Sequence, residues 1–120
     1  MLSNLLGEET FRRGSDLYFE RFDGQAVRVE DFVETMAEVS GEDLTQFMRW
    51  YAQAGTPQLT ARSDYDAGKR QLTLSIRQQT PPTPGQDDKQ PLHVPVRMGL
   101  IAADGQPVEL IIDGLSLIHI

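Results

Sequence analysis

The run Trp50-Tyr51-Ala52-Gln53-Ala54-Gly55-Thr56-Pro57 divides this chain into two regimes that no single secondary structure can span. Before it, apolar residues recur every three to four positions, the period of a helix; after it they recur every second position, the period of a strand. Glycine followed by proline stops the first pattern. With 120 residues in all, each half is too short to enclose a good core of its own. The hydrophobic fraction, 39%, is slightly low for a free-standing globule. The chain therefore reads as a seam between two domains of a larger protein.

The first half predicts three helices. Residues 8–22 place Phe11, Ser15, Tyr18 and Phe22 on one face. Glu8 and Glu9 fall in the first turn, where the macrodipole favours carboxylates. Asp23-Gly24 closes this helix. Gly14 lies inside it at a cost of about 1 kcal/mol relative to alanine, which implies close packing against a neighbour. A second helix starts near Glu30-Asp31, carries Phe32, Val33, Met36 and Val39 as its apolar stripe, and stops at Ser40-Gly41. A third begins near Asp43 as N-cap, buries Leu44, Phe47, Met48 and Tyr51 with Trp50 beside them, and ends at Gly55 and Pro57.

The second half predicts four antiparallel strands in two hairpins. Leu59, Ala61 and Ser63 alternate with polar residues, Asp64–Lys69 is a turn, and Leu72, Leu74 and Ile76 return. Thr80–Pro91, with Pro81, Pro82, Pro84, Gly85 and Pro91, reads as a polar and partly polyproline-like connection. Val94, Val96, Met98 and Leu100 then share a strand face, Asp104-Gly105 makes a hairpin turn, and Val108, Leu110 and Ile112 return. Pro95 and Pro107 put these strands at an edge or at strand starts.

Charge excludes one class of partner. The net charge is −7; residues 1–57 carry 5 Lys/Arg against 11 Asp/Glu, and residues 58–120 carry 6 against 7. Phosphate backbones need clustered Lys and Arg, so nucleic acid is not expected as a partner. There is no cysteine, hence no disulfide and no thiolate metal site. No segment has the roughly 18 apolar residues of a membrane span, and no basic stretch followed by an apolar run opens the chain. No membrane partner is expected, and the cytoplasm is the expected compartment.

Candidate chemistry is sparse. The two histidines, His93 and His119, are far apart in sequence, and His93 reads as a packed strand residue. Glu8-Glu9, Glu30-Asp31 and Asp87-Asp88 are adjacent carboxylates. Neighbours in sequence do not face one another on a helix, so these are solvating or helix-start charges rather than an acid–base pair. Phe11, Tyr18, Phe19, Phe22, Phe47 and Trp50 could line a peptide groove, but at helical spacing they read as core. Where some of them lack a cover they would leave an exposed apolar patch.

One collinear series carries more. Leu5-Leu6-Gly7-Glu8-Glu9, Phe11, Gly14, Tyr18-Phe19-Glu20-Arg21, Asp23-Gly24-Gln25-Ala26, Asp31-Phe32 and Trp50–Pro57 are followed by Asp64-Tyr65, Gln79-Thr80-Pro81, Lys89-Gln90-Pro91-Leu92-His93-Val94-Pro95 and Asp104-Gly105. In this order the chain resembles the zinc-dependent gluzincin aminopeptidases of the bacterial aminopeptidase N type, over about residues 1–114. Phe22 stands where that family often has histidine, and Arg28-Val29 replaces a Thr-Cys-like pair, so the cap of the second helix must be remade by Glu30 or Asp31.

The resemblance implies an α+β chain: C-terminal helices of a thermolysin-like catalytic domain over residues 1–57, then antiparallel β hairpins of an Ig-like β-sandwich domain over residues 58–114, both incomplete. It implies a parent zinc aminopeptidase with peptide substrates. That chemistry needs an HExxH motif, a downstream Glu and a GAMEN-like strand. Neither HExxH nor GAMEN occurs here. No catalytic, cofactor-binding or metal-binding residue is therefore assigned, zinc is expected only in the parent, and this piece is expected to be structural, inactive alone, with the remainder of the same polypeptide as its partner. A free-standing helical-plus-β binding module is the alternative. Leu115–Ile120 breaks the resemblance and is similar to a translated library-preparation adapter, so residues 115–120 are expected to be a non-native tail, with a natural apolar strand end as the other reading. Met1 is expected to be an internal residue of a longer helix.

Overall fold

The structure, a computed structural model, describes residues 1–108. Four helices, α1 (Leu2–Leu6), α2 (Glu8–Phe22), α3 (Val29–Ser40) and α4 (Arg49–Ala52), precede four strands, β1 (Gln58–Asp66), β2 (Gln71–Gln79), β3 (Leu100–Ile101) and β4 (Pro107–Val108). The fold is thus α+β, with two antiparallel two-stranded sheets. The radius of gyration is 18.2 Å, well above the roughly 14 Å of a compact domain of this length.

The core lies in the helical half. Leu2, Val33, Met36, Leu44 and Phe47 are buried, with Leu5, Leu6, Phe11, Phe32, Ala37, Met48 and Trp50 packed around them. The predicted face of α2 meets α3 through Phe11 and Tyr18, whose rings stand edge-on to Phe32 at 6.4 and 5.2 Å. Gly14 is buried at this crossing, as the cost of a mid-helix glycine implied. Residues 2–6 form a helix separate from α2, because Gly7 between them takes a positive-φ, non-helical conformation at φ 81°, ψ 156°. The cap of α3 is remade by Asp31, whose carboxylate accepts the Arg28 backbone N–H at 2.7 Å. At its other end Gly41 takes the left-handed conformation and donates its N–H to Ala37 O.

The third helix differs from expectation. Asp43 starts it by accepting the Thr45 N–H at 2.9 Å, but residues 45–48 form turns and only Arg49–Ala52 is α-helical. Arg49, Trp50 and Tyr51 bond three residues back, to Gln46, Phe47 and Met48. The buried or half-buried Leu44, Phe47 and Trp50 recur every third residue, which is the eclipsed spacing of a 3₁₀ turn. Tyr51, predicted on the buried side, is 51% exposed, because this tighter winding turns it outward.

In the β half, the first hairpin runs longer than predicted. β1 continues to Asp66 and pairs with β2 from Gln58↔Gln79 to Asp66↔Gln71, so Asp64 and Tyr65 are strand rather than turn. The turn is residues 67–70, in which Asp66 Oδ1 accepts the Lys69 N–H. The register places Leu59, Ala61, Tyr65, Leu72, Leu74 and Ile76 on one face, the predicted alternation. The second hairpin is shorter than predicted among the described residues. Residues 91–99 are not strand, and only Leu100–Ile101 pairs with Pro107–Val108. Pro91 and Pro95 lack N–H donors, and the backbone of residues 91–93 is taken up by side chains, as described below. Leu110, Ile112 and the proposed tail lie outside the described residues.

Candidate functional site: the junction of the helical and β segments

The adjacent carboxylates lie at helix starts and in a loop. Glu8 and Glu9 occupy the first turn of α2, and Glu30 and Asp31 that of α3, where Asp31 serves as a cap. Asp87 and Asp88 are exposed. Among the described residues no group of three or more His, Cys, Asp or Glu is arranged to hold a metal ion. Among the described residues two carboxyls are held below their ordinary range. Glu38 is lowered by hydrogen bonds from Arg21 (2.8 and 3.0 Å) and by its charge; Asp43 is lowered by its hydrogen bonds from Thr45. Both are exposed, so these are surface ion-pair and cap effects. The aromatics divide: Phe11, Tyr18, Phe22, Phe47 and Trp50 are buried or half-buried, while Phe19 is 65% exposed.

The residues that converge are elsewhere. From Gln46 to Ala54, and from Gln78 to His93, side chains of one segment reach the backbone of another. Arg49 Nη1 and Gln46 Nε2 donate to Pro91 O at 2.7 and 3.3 Å. Trp50 Nε1 donates to His93 O at 2.7 Å. Gln53 pairs with the Gln90 backbone in both directions, Nε2 to O at 3.1 Å and Oε1 from N–H at 2.8 Å. Gln86 does the same on the other side, Nε2 to Ala52 O at 3.0 Å and Oε1 from the Ala54 N–H at 2.8 Å. Gln78 holds both backbone groups of Leu92, at 2.7 and 2.9 Å, as a neighbouring strand would. Leu92 is 1% exposed, and the His93 ring stands edge-on to Phe47 at 6.4 Å.

The local sequence explains why the segment can be held this way. Pro84-Gly85 folds into a two-residue turn between Thr83 and Gln86, closed by both backbone bonds (3.2 and 2.8 Å). Glutamine carries two donors and an acceptor on one rigid amide, so it can replace a strand neighbour for a single residue. The Thr80–Pro91 stretch is therefore a built link, not an open polyproline connection. In the sequence Gln53 and Lys89 stand out only as members of the collinear series, and Gln78, Gln86 and Arg49 not at all. The only signal is the recurrence of Gln at 71, 78, 79, 86 and 90. Such long-range bonds leave no periodicity.

Known proteins resemble the chain on both sides of this junction. Residues 1–51 match the peptidase family M1 domain, and residues 55–119 match a domain of unknown function (DUF3458) with an Ig-like fold. The chain is 48% identical over 110 residues to aminopeptidase N of Escherichia coli strain K12, covering 92% of this chain and 13% of that protein. It is 54% identical over 106 residues to aminopeptidase N of Caulobacter vibrioides, covering 88% of this chain and 12% of that protein. The chain thus spans about an eighth of the length of these curated relatives. Aminopeptidase A of Legionella pneumophila, solved in complex with aspartic acid, superposes with a TM-score of 0.75 at 29% identity, covering 90% of this chain and 12% of that one.

Proposed function

Since the chain belongs to the aminopeptidase N family of M1 peptidases, we propose that it is the seam of a zinc aminopeptidase. Residues 1–57 close the peptidase domain and residues 58–114 open the Ig-like β-sandwich. The parent enzyme hydrolyses N-terminal residues from peptides in the cytoplasm by attack of zinc-activated water. Zinc binding, water activation and substrate binding belong to residues outside this chain. The role of these 120 residues is to hold the first β strands of one domain at a fixed place on the last helices of the other.

The observation that carries this reading is the web of side-chain-to-backbone bonds joining residues 46–54 to residues 86–93. Free-standing modules are stabilised by a shared core. Here the clustered apolar core lies in the helical half, Leu92 is buried at the junction, and the link is otherwise largely polar. The extended shape speaks against the binding-module alternative in the same way. Among the described residues no helix is long and apolar enough to cross a membrane.

Two measurements test the proposal. Sequencing the source locus beyond both ends should reveal an in-frame HExxH and its following Glu upstream of Met1. A locus without them overturns the zinc aminopeptidase reading. Assaying the purified chain with added zinc on an aminoacyl chromogenic substrate should give no turnover. Chelator-sensitive turnover overturns the assignment of chemistry to the rest of the parent.

A further inference from the structure

Lys89 sits half-buried in the connection between β2 and β3, and its ammonium is fully committed. Nζ donates to Ala54 O at 3.0 Å, Thr83 Oγ1 at 2.6 Å and Gln86 Oε1 at 3.3 Å. These three oxygens come from two segments, the end of the helical half and the Thr83–Gln86 turn. A lysine ammonium is a compact point charge with three rotatable donors. Three convergent oxygens saturate it and leave no donor for water. Ala54 O lies just beyond the end of α4, where carbonyls lack helical partners and a cation is favoured.

The same turn packs on the corner that joins the halves. Gly55 has φ 100°, and a β-carbon there would stand 3.1 Å from Thr80 Cγ2 and 3.3 Å from Thr83 Cγ2. Gln86 holds the residues just before the corner by its bonds to Ala52 O and the Ala54 N–H. The corner Ala54-Gly55-Thr56-Pro57 is thus gripped from one side by a single short stretch of chain. Within that stretch, Lys89 is what ties the turn, the Gln86 amide and the Ala54 carbonyl together.

We propose that residues 83–90 are a strap with Lys89 as its bolt: while the ammonium bridges Ala54, Thr83 and Gln86, the Gly55 corner is rigid, and without it the corner becomes a hinge between two units that each stay folded. This deepens the seam reading and rests on it, naming the group that controls whether the seam can bend. The alternative is a corner held by packing and by the remaining amide bonds, to which Lys89 adds nothing.

Hydrogen exchange on the whole chain, read peptide by peptide, separates the two. In Lys89→Met, which keeps the stem and removes the charge, exchange across residues 52–58 and 83–90 should rise about tenfold or more, the scale of lost charge-assisted hydrogen bonds. Peptides from α2, α3 and the β1–β2 ladder should keep their wild-type rates. Thr83→Val, which removes only the shortest of the three bonds and keeps the methyl on the Gly55 side, should fall between wild type and Lys89→Met at the same peptides. Unchanged exchange at residues 52–58 in Lys89→Met overturns the proposal. So does acceleration spread equally over α2 and α3, and so does a Thr83→Val variant indistinguishable from wild type. None of these results bears on the locus sequence or the turnover assay that test the aminopeptidase reading.

Discussion

Gly14 on α2 leaves a hole that Met36 on α3 fills: a β-carbon at Gly14 would stand 2.5 Å from the Met36 sulfur and 3.3 Å from its terminal methyl. Met36 is 0% exposed and has no outward path. Gly14→Ala should therefore destabilise the helical half by about 1–3 kcal/mol through overpacking, against a propensity gain of about 1 kcal/mol. Urea unfolding followed by far-UV circular dichroism measures the net effect. Combining Gly14→Ala with Met36→Ala should cost less than the sum of the two, since the second change empties the space the first needs. Strict additivity would mean that the contact is not what keeps glycine there.

Trp50 donates to His93 O across 43 residues of chain at 2.7 Å. Trp50→Phe keeps an aromatic ring and removes the donor, so it should cost about 1 kcal/mol, by circular dichroism. Trp50 is also the only tryptophan, which makes wild-type fluorescence a direct reporter of the junction. Its emission should shift red in the same urea range in which the helical signal is lost.

Arg28 occupies the N-cap of α3 at φ −109°, ψ 167° with no side-chain cap bond. Arg28→Thr supplies a hydroxyl where an N-cap oxygen belongs and keeps the Asp31 reach-back. A gain of about 1 kcal/mol is expected, read as a rise in the thermal midpoint.

The Arg21–Glu38 pair sets a pH dependence. Glu38 is lowered from an ordinary value of 4.5, first by the Arg21 hydrogen bonds and then by the Arg21 charge. A carboxyl lowered in the folded state binds its proton more readily when unfolded. Its contribution is thus complete above the ordinary value and disappears as pH falls through the lowered one. The difference in urea midpoint between wild type and Glu38→Gln should be constant from neutrality to about pH 5, then close below pH 4.5. It should shrink in about 1 M salt, because the pair is exposed. A gap that widens on acidification would contradict the assignment.

Much of the helical half was legible because its determinants are local. The stripe of α2, the stop at Gly41 and the closeness implied by Gly14 all act within a few residues or a single contact. The third helix misled because Leu44, Phe47 and Trp50 fit a 3₁₀ turn as well as a helix, and only the hydrogen bonds of Arg49, Trp50 and Tyr51 decide between them. The Val94–Leu100 alternation is real, yet the backbone before it is engaged by Trp50 and Gln78 rather than by a strand. The place of the junction was legible at Trp50–Pro57, but its bonds were not. Gln53 and Gln90, or Lys89 and Ala54, are joined across 37 and 35 residues, and no local pattern announces such a meeting. The composite series of short motifs nonetheless led to the right family, because recognition needs order along the chain and not geometry.

The junction has an uneven grammar. Its main-chain acceptors include the oxygens of Ala52, Ala54, Gln90, Pro91 and His93, and the side chains that donate to them are those of Gln46, Arg49, Trp50, Gln53, Gln86 and Lys89. Every residue type presents a main-chain carbonyl, so what Ala52 and Ala54 contribute survives a change of their own side chains. What Arg49, Trp50 and Lys89 contribute does not. A saturation scan of residues 46–93 would find tolerance and intolerance side by side in the same bond, with the vulnerable partner always the one that reaches.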